Sequence, residues 1–202
     1  VLSSNLDIDF TASSIDNIQG VVRFDSTMYF EKGEQFFLDS LVMEMHAIEG
    51  QETVFKLRSE LVDAQVEGGY QLSRIMPAIR DFVGRYSGVL ASYLENHSNV
   101  HPQQLSFDIH LKETGLLTDL FTPGLKVARQ TKIEGNFNSQ DGELQISGNS
   151  GLINYQGIKA YNWQLETSSN RDDFSLTMNF DRLMLKEQTS EDSTRIGIDS
   201  LA

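Results

Sequence analysis

The sequence predicts a mainly β protein, built as a long antiparallel meander curled into a trough or a sandwich, with one long amphipathic helix. Three observations carry this. Apolar and polar residues alternate through one segment after another, as in Leu6-Asp7-Ile8-Asp9-Phe10 and Phe174-Ser175-Leu176-Thr177-Met178. Short polar turns interrupt that alternation at the spacing of an antiparallel sheet. A single stretch, Ser73 to Leu94, replaces the two-residue rhythm with steps of three and four. Four regions follow: a first antiparallel β block over 1–72, an amphipathic helix over 73–95, a linker over 96–104 and a second β meander over 105–202, packed on the same sheet.

In the first block, Leu6, Ile8 and Phe10 face one way and the aspartates between them face water. Asp16-Asn17 marks a turn, and Ile18, Gly20, Val22 and Phe24 resume the pattern as far as Glu31-Lys32-Gly33-Glu34. Over 35–48, Phe37, Leu41, Met43 and Met45 share one face. Between 51 and 70 the phase changes: Phe55, Leu57 and Leu61 lie on one face, then Val62, Ala64 and Val66 on the other. Such a change predicts a bulge near Leu61-Val62 or a break into two strands.

The helix places Ile75, Ile79, Phe82, Tyr86, Val89 and Tyr93 on one stripe, widened by Met76, Val83, Leu90 and Leu94. Pro77 lacks an N–H and fits only near a first turn, so the start falls between Ser73 and Met76. A stripe of this kind covers one face of a sheet; the alternatives are a helix that plugs or lies along an apolar groove, or one that rests on a lipid surface, against which the lysine-poor polar face counts. The polar segment after it contains Pro102 and reads as a linker.

The second block opens with the strict alternation of Leu105, Phe107, Ile109 and Leu111. One or two helical turns are expected over 113–121, before Pro123-Gly124. Strands then follow with turns at 138–142, at Gly148-Asn149-Ser150-Gly151 and at 168–173. Phe174, Leu176, Met178 and Phe180 alternate cleanly, and Ile196, Ile198 and Leu201 begin a further strand.

The chain has 202 residues and a formal net charge of -13. That length suits one large all-β domain or two modest ones, and it is enough for a sizeable core. The charge argues against nucleic acid, whose phosphates need a basic footprint, and an anionic membrane surface repels the chain on average. Without cysteine there is no disulfide, no thiolate nucleophile and no cysteine-ligated zinc. No run of 18 apolar residues spans a membrane, and no basic-then-apolar leader follows Val1. The sequence enters a strand pattern almost at once, so it reads as a piece of a longer protein.

Candidate chemistry is sparse. His97 and His101 stand four apart, but in the linker and without a third ligand at a telling spacing. Asp172-Asp173 and Asp16-Asn17 are turn formers before they are calcium ligands. Glu44 and Glu60 form a carboxylate pair only by the chance that 29 acidic residues provide. Asn96-His97-Ser98 matches a glycosylation sequon. Trp163 with Tyr155 and Tyr161 is either a sugar platform or ordinary strand packing. The residues alone lead to an acidic, largely β domain with no catalytic residues, metal or cofactor expected.

The order of certain phrases says more. Leu6 to Phe10, followed by Ile15-Asp16-Asn17-Ile18-Gln19-Gly20-Val21-Val22-Arg23-Phe24, resembles the strand and L-x-G-x-x-x-F repeat of AsmA-like and TamB-like envelope proteins, with Ile18 in the Leu place. The run from Leu57 to Leu72 resembles their S-x-x-x-D-A-x-x-x-G-x-Y-x-L segment, after which a helix comes. Thr118 to Gly124 and Tyr155-Gln156-Gly157-Ile158-Lys159 are similar to the next unit as seen in Bacteroidetes-type TamB proteins. The resemblance runs from Leu6 to Leu185, which would make the chain a middle segment. It implies a β-taco trough in a periplasmic protein anchored in the inner membrane, which carries phospholipid and supports outer-membrane biogenesis. It carries no catalytic residues. Phe37, Leu41, Met43, Met45, Phe174, Leu176, Met178 and Phe180 are the expected groove-lining residues, with phospholipid or other acyl chains as ligand. Outer-membrane assembly proteins are the other expected partners. Two alternatives stand beside this: a sheet edge that accepts strands of outer-membrane proteins, and a carbohydrate-binding β-sandwich.

Overall fold

The computed structural model describes residues 2–31, 34–48, 52–86, 102–115, 124–170, 173–185 and 197–199. Its first strands are β1 (Leu2–Ser14), β2 (Asn17–Glu31), β3 (Glu34–His46), β4 (Thr53–Ser59) and β5 (Val62–Gly69). Helix α1 (Leu72–Tyr86) follows, then β6 (Gln104–Leu111), β7 (Leu125–Val127), β8 (Thr131–Asn138) and β9 (Glu143–Tyr155). The last strands are β10 (Ile158–Ser169), β11 (Phe174–Asn179), β12 (Arg182–Met184) and β13 (Gly197–Asp199). They form one 13-stranded sheet, ordered β1-β2-β3-β4-β5-β6-β8-β9-β10-β12-β13, with β11 also on β10 and β7 also on β9. Every pairing is antiparallel and the sheet is open.

Register explains why the alternation is so regular. Directly paired residues share a face, so the pairings trace rows across the sheet. One row runs Phe10, Gly20, Met45, Phe55, Val66, Phe107, Gly135, Ile146, Thr167, Leu176. The next runs Ile8, Val22, Met43, Leu57, Ala64, Ile109, Ile133, Gly148, Leu165, Met178. Apart from Thr167, each row holds only apolar residues and glycine from β1 to β11. The opposite face carries the polar partners, such as the row Gln65, Asp108, Glu134, Ser147, Glu166. One-sided burial is what an antiparallel sheet permits.

Helix α1 lies on the apolar face, across the strand ends where the β8–β9 and β10–β11 turns fall. Ala78 and Phe82 are buried against Tyr70, Leu105 and Phe137, with Val66, Phe107 and Leu144 packed around them. The Phe82 ring meets Phe137 edge-on at 5.6 Å and Phe174 at 6.5 Å. The Tyr86 hydroxyl donates to the carbonyl of Asn170 and reaches that of Gly142 at 3.5 Å. The two carbonyls lie at the neighbouring ends of β9 and β10. Phe137 on β8 and Phe174 on β11 stand three strand spacings apart, about 14 Å in a flat sheet, yet the Phe82 ring meets both. The sheet therefore bends toward the helix at this end, where the apolar face is concave.

Polar contacts fix the helix at both ends. At the start, the Asp16 carboxylate, in the β1–β2 turn, accepts the Ser73 backbone N–H at 2.9 Å and its hydroxyl at 2.5 Å. This caps the helix from 57 residues away in sequence. At the far end Arg85 donates to the Ser139 carbonyl at 3.3 Å. Gln103, 1% exposed, joins the two sides: its side-chain oxygen accepts from Gln71 N–H at 2.7 Å, and its own N–H donates to Ser139 Oγ at 2.8 Å.

Several expectations are corrected. Of the two expectations for the phase change at 61–62, the break into two strands holds and the bulge does not. Ser59 Oγ accepts from the N–H groups of Leu61 and Val62, so the chain reverses there and the inward-facing set changes parity. No turn occurs at Gly148-Asn149-Ser150-Gly151; β9 runs straight through. A side chain at Gly148 would press on the Trp163 ring, 3.4 Å from where its Cβ would sit, so this glycine makes room for the indole. Ser150 accepts the Thr131 hydroxyl, so it too belongs to the strand's packing. The helix starts one residue earlier than expected, at Leu72, and Pro77 lies inside it. Its buried stripe is Ile75, Ala78, Phe82 and Tyr86, whereas Met76, Ile79 and Val83 are exposed. The expected helix beyond Tyr86, the helical turns over 116–121, most of the linker and most of the tail lie outside the described residues.

Candidate functional site

The concave apolar face has a covered part and an uncovered part. Under α1, Phe137, Leu105 and Tyr70 are buried. Away from it, Leu6, Ile8 and Phe10 on β1, Phe37 on β3 and Leu176 and Met178 on β11 are each at least half exposed. A monomer rarely leaves so many large apolar side chains in one continuous field without a use for them.

All eight residues expected to line a groove lie among the described residues. Phe37, Leu41, Met43 and Met45 occupy one flank on β3. Leu176 and Met178 occupy the opposite flank on β11, and Phe180 follows, partly buried. Phe174 differs, because its ring lies 5.5 Å from Tyr86 and so joins the helix-covered end. The floor between the flanks is Phe107 and Ile109 on β6, Ile133 on β8 and Ile146 on β9. Nothing in local sequence separates floor from flank, since both alternate alike; only strand order does. Gly135 lies in the floor because the Phe107 ring and the Gln145 carbonyl occupy the space a Cβ would need.

The other candidates do not come together. Trp163 is buried on the apolar face, packed over Gly148, with no partner for its indole N–H among the described residues. Tyr161 shares that face but Tyr155 is on the other, so the three aromatics make no platform. Glu60 accepts the Asp39 N–H at 2.8 Å in the β4–β5 turn, while Glu44 pairs across from Lys56 on the polar face. His46 is exposed and His110 bonds Gln130 at 2.7 Å. Asp16 caps α1. His97, His101, Asn96 and Asp172 lie outside the described residues. No group of three or more His, Asp or Glu among the described residues is placed to hold a metal ion.

The polar face has a hollow of about 550 Å³, lined by Glu67, Asp108, Glu134 and Glu166 among neutral amides and hydroxyls, with Phe107, Gly135 and Ile146 also bordering it. Asp108 pairs directly with Glu134, a like-charge pair that only open solvent makes tolerable. This side is a hydrated exterior. Among ionisable groups, Tyr70 is held in its neutral form: burial pushes its pKa from 10.0 to about 12.

Fold and face together define a class, an open antiparallel β-meander sheet with one aliphatic face and one helix covering an end of it. No protein-family model matches the chain, and neither a curated protein nor a solved structure is significantly similar to it. None of the described helices is long and apolar enough to cross a membrane.

Proposed function

We propose that this chain is a non-enzymatic segment of a TamB-like envelope protein, lying in the periplasm, that holds phospholipid acyl chains on its concave apolar face. In the parent protein, anchored in the inner membrane, such a surface serves transfer of lipid toward the outer membrane and so its biogenesis. The observation that supports this reading is the uncovered part of the apolar face, where Leu176, Met178, Phe37 and the β1 residues are half exposed. Each methylene moved there from water contributes about 0.8 kcal/mol, with no polar partner needed. Methionine at positions 43, 45 and 178 adapts to irregular chains.

The test uses the only tryptophan, Trp163, which stands on the trough face. A phosphatidylcholine brominated along its acyl chains is expected to quench Trp163 fluorescence saturably, and Met43→Asp with Leu176→Asp to abolish the quenching. Absence of quenching by the wild-type chain would refute the reading.

A second reading rests on a different observation. Strand β1 is a 13-residue sheet edge without Pro or Lys, the residues that usually protect edges. It fits an added strand from an assembling outer-membrane protein. Lipid-free binding of an amphipathic strand peptide, competed by nothing aliphatic, would favour it.

A further inference from the structure

We infer that the strand ends opposite α1 carry an anion site, formed by Lys126, Asn154 and Lys159, which takes the phosphate of an anionic lipid headgroup. The inference rests on the acyl-binding reading and names the class of lipid.

The placement follows from register. Lys126 on β7 pairs with Asn154 on β9, which pairs with Lys159 on β10. The three therefore form one cross-strand row. Along β9, Asn154 alternates with Leu152, Ser150, Gly148 and Ile146, so the row lies on the trough face. The two lysine Cα atoms flank Asn154 and lie about 10 Å from each other, within reach of one phosphate for side chains this long. Neither lysine forms an ion pair with a described residue. The Asn154 carbonyl oxygen accepts the Gly157 N–H at 3.1 Å, which leaves its amide N–H₂ as a donor. The row thus offers donors from all three side chains.

Two features make this more than a solvated patch. The chain carries a net charge of -13, and its acidic residues crowd the polar face, so two unpaired cations on the apolar face run against the general field. Their distance also fits. From Asn154 back to Gly148 is six residues, about 20 Å of strand. One leaflet's acyl chain spans about 15 Å, half of a bilayer's hydrocarbon core. A phosphate on the lysines lays a chain of that length along Leu152 and Trp163, ending before the Gly148–Leu165 pair and well short of α1. Arg182 stands beside the row, 5.9 Å over the Tyr161 ring, where aromatic and cation meet the headgroup boundary.

Binding is measured by native mass spectrometry and by Trp163 quenching on the intact chain, with brominated phosphatidylglycerol, brominated phosphatidylcholine, brominated diacylglycerol and inorganic phosphate. The expected order is phosphatidylglycerol ahead of diacylglycerol by about tenfold. Salt is expected to weaken that preference; if the net negative charge of the chain governed binding, salt would strengthen phosphatidylglycerol instead. Lys126→Gln with Lys159→Gln should erase the preference and leave diacylglycerol unchanged, which also reports that the variant is folded. Equal binding of all three lipids by the wild type overturns the headgroup site and leaves the trough standing. Failure of every lipid overturns both. Inorganic phosphate bound by the wild type, lost in the variant and indifferent to lipid, would make this a free-phosphate site and overturn the proposal.

Discussion

Phe82 and Leu176 are on the same concave side of one sheet, yet Phe82 is 4% exposed and Leu176 is 56% exposed. The rows of strand residues beneath them are alike in composition. What differs is cover. At one end of the trough α1 supplies the second layer that an apolar sheet face requires, and a small aromatic core forms from Phe82, Phe137, Tyr86 and Phe174. Over the flanks none of the described residues supplies that layer. The covered end carries the aromatic core, and the open flanks leave their apolar side chains exposed.

The contrast yields an ordered set of expectations. Phe82→Ala removes the centre of the covered core and should cost about 3–5 kcal/mol in denaturant unfolding, whereas Leu176→Ala on the open flank should cost well under 1 kcal/mol. Similar losses at both positions would break the distinction. Next in size, Asp16→Ala removes the distant cap of α1 and should cost about 1 kcal/mol, with Asp16→Asn retaining most of it. A helix cap that can be deleted without effect would mean that packing alone holds α1. Smallest is an alkaline effect. Tyr70 ionises near 10.0 when unfolded and near 12 when folded, so the folded form holds more protons in that interval. Its contribution is complete below pH 10.0, falls as pH rises toward 12, and should vanish in Tyr70→Phe. Open-flank variants should titrate like the wild type.

Much of this architecture is readable from the chain itself. Strict alternation at Leu6–Phe10, Leu105–Leu111 and Phe174–Met178 identifies strands because side chains on a pleated strand alternate faces. Polarity misleads where packing reuses turn-forming residues: Gly148 and Ser150 read as a turn, but one makes room for Trp163 and the other bonds Thr131. The phase change at Leu61-Val62 shows that the chain is interrupted, while the Ser59 hydroxyl decides that it reverses. Gln103 reads as linker polarity, since its role comes from two partners 32 and 36 residues away. Ala78 is absent from the expected stripe because a small residue becomes core only where the helix touches the sheet. The groove flanks are legible as alternating apolar strands. Which of them α1 covers is not, because cover is a property of strand order.

The central claim is that the open flanks hold acyl chains. Native mass spectrometry on the chain, isolated from a bacterial envelope without detergent, tests it most directly. The account predicts co-purifying phospholipid at about one molecule per chain, absent from a Met43→Asp, Leu176→Asp variant that unfolds at the wild-type denaturant concentration. A lipid-free wild-type monomer, folded and indifferent to added phospholipid, would contradict it.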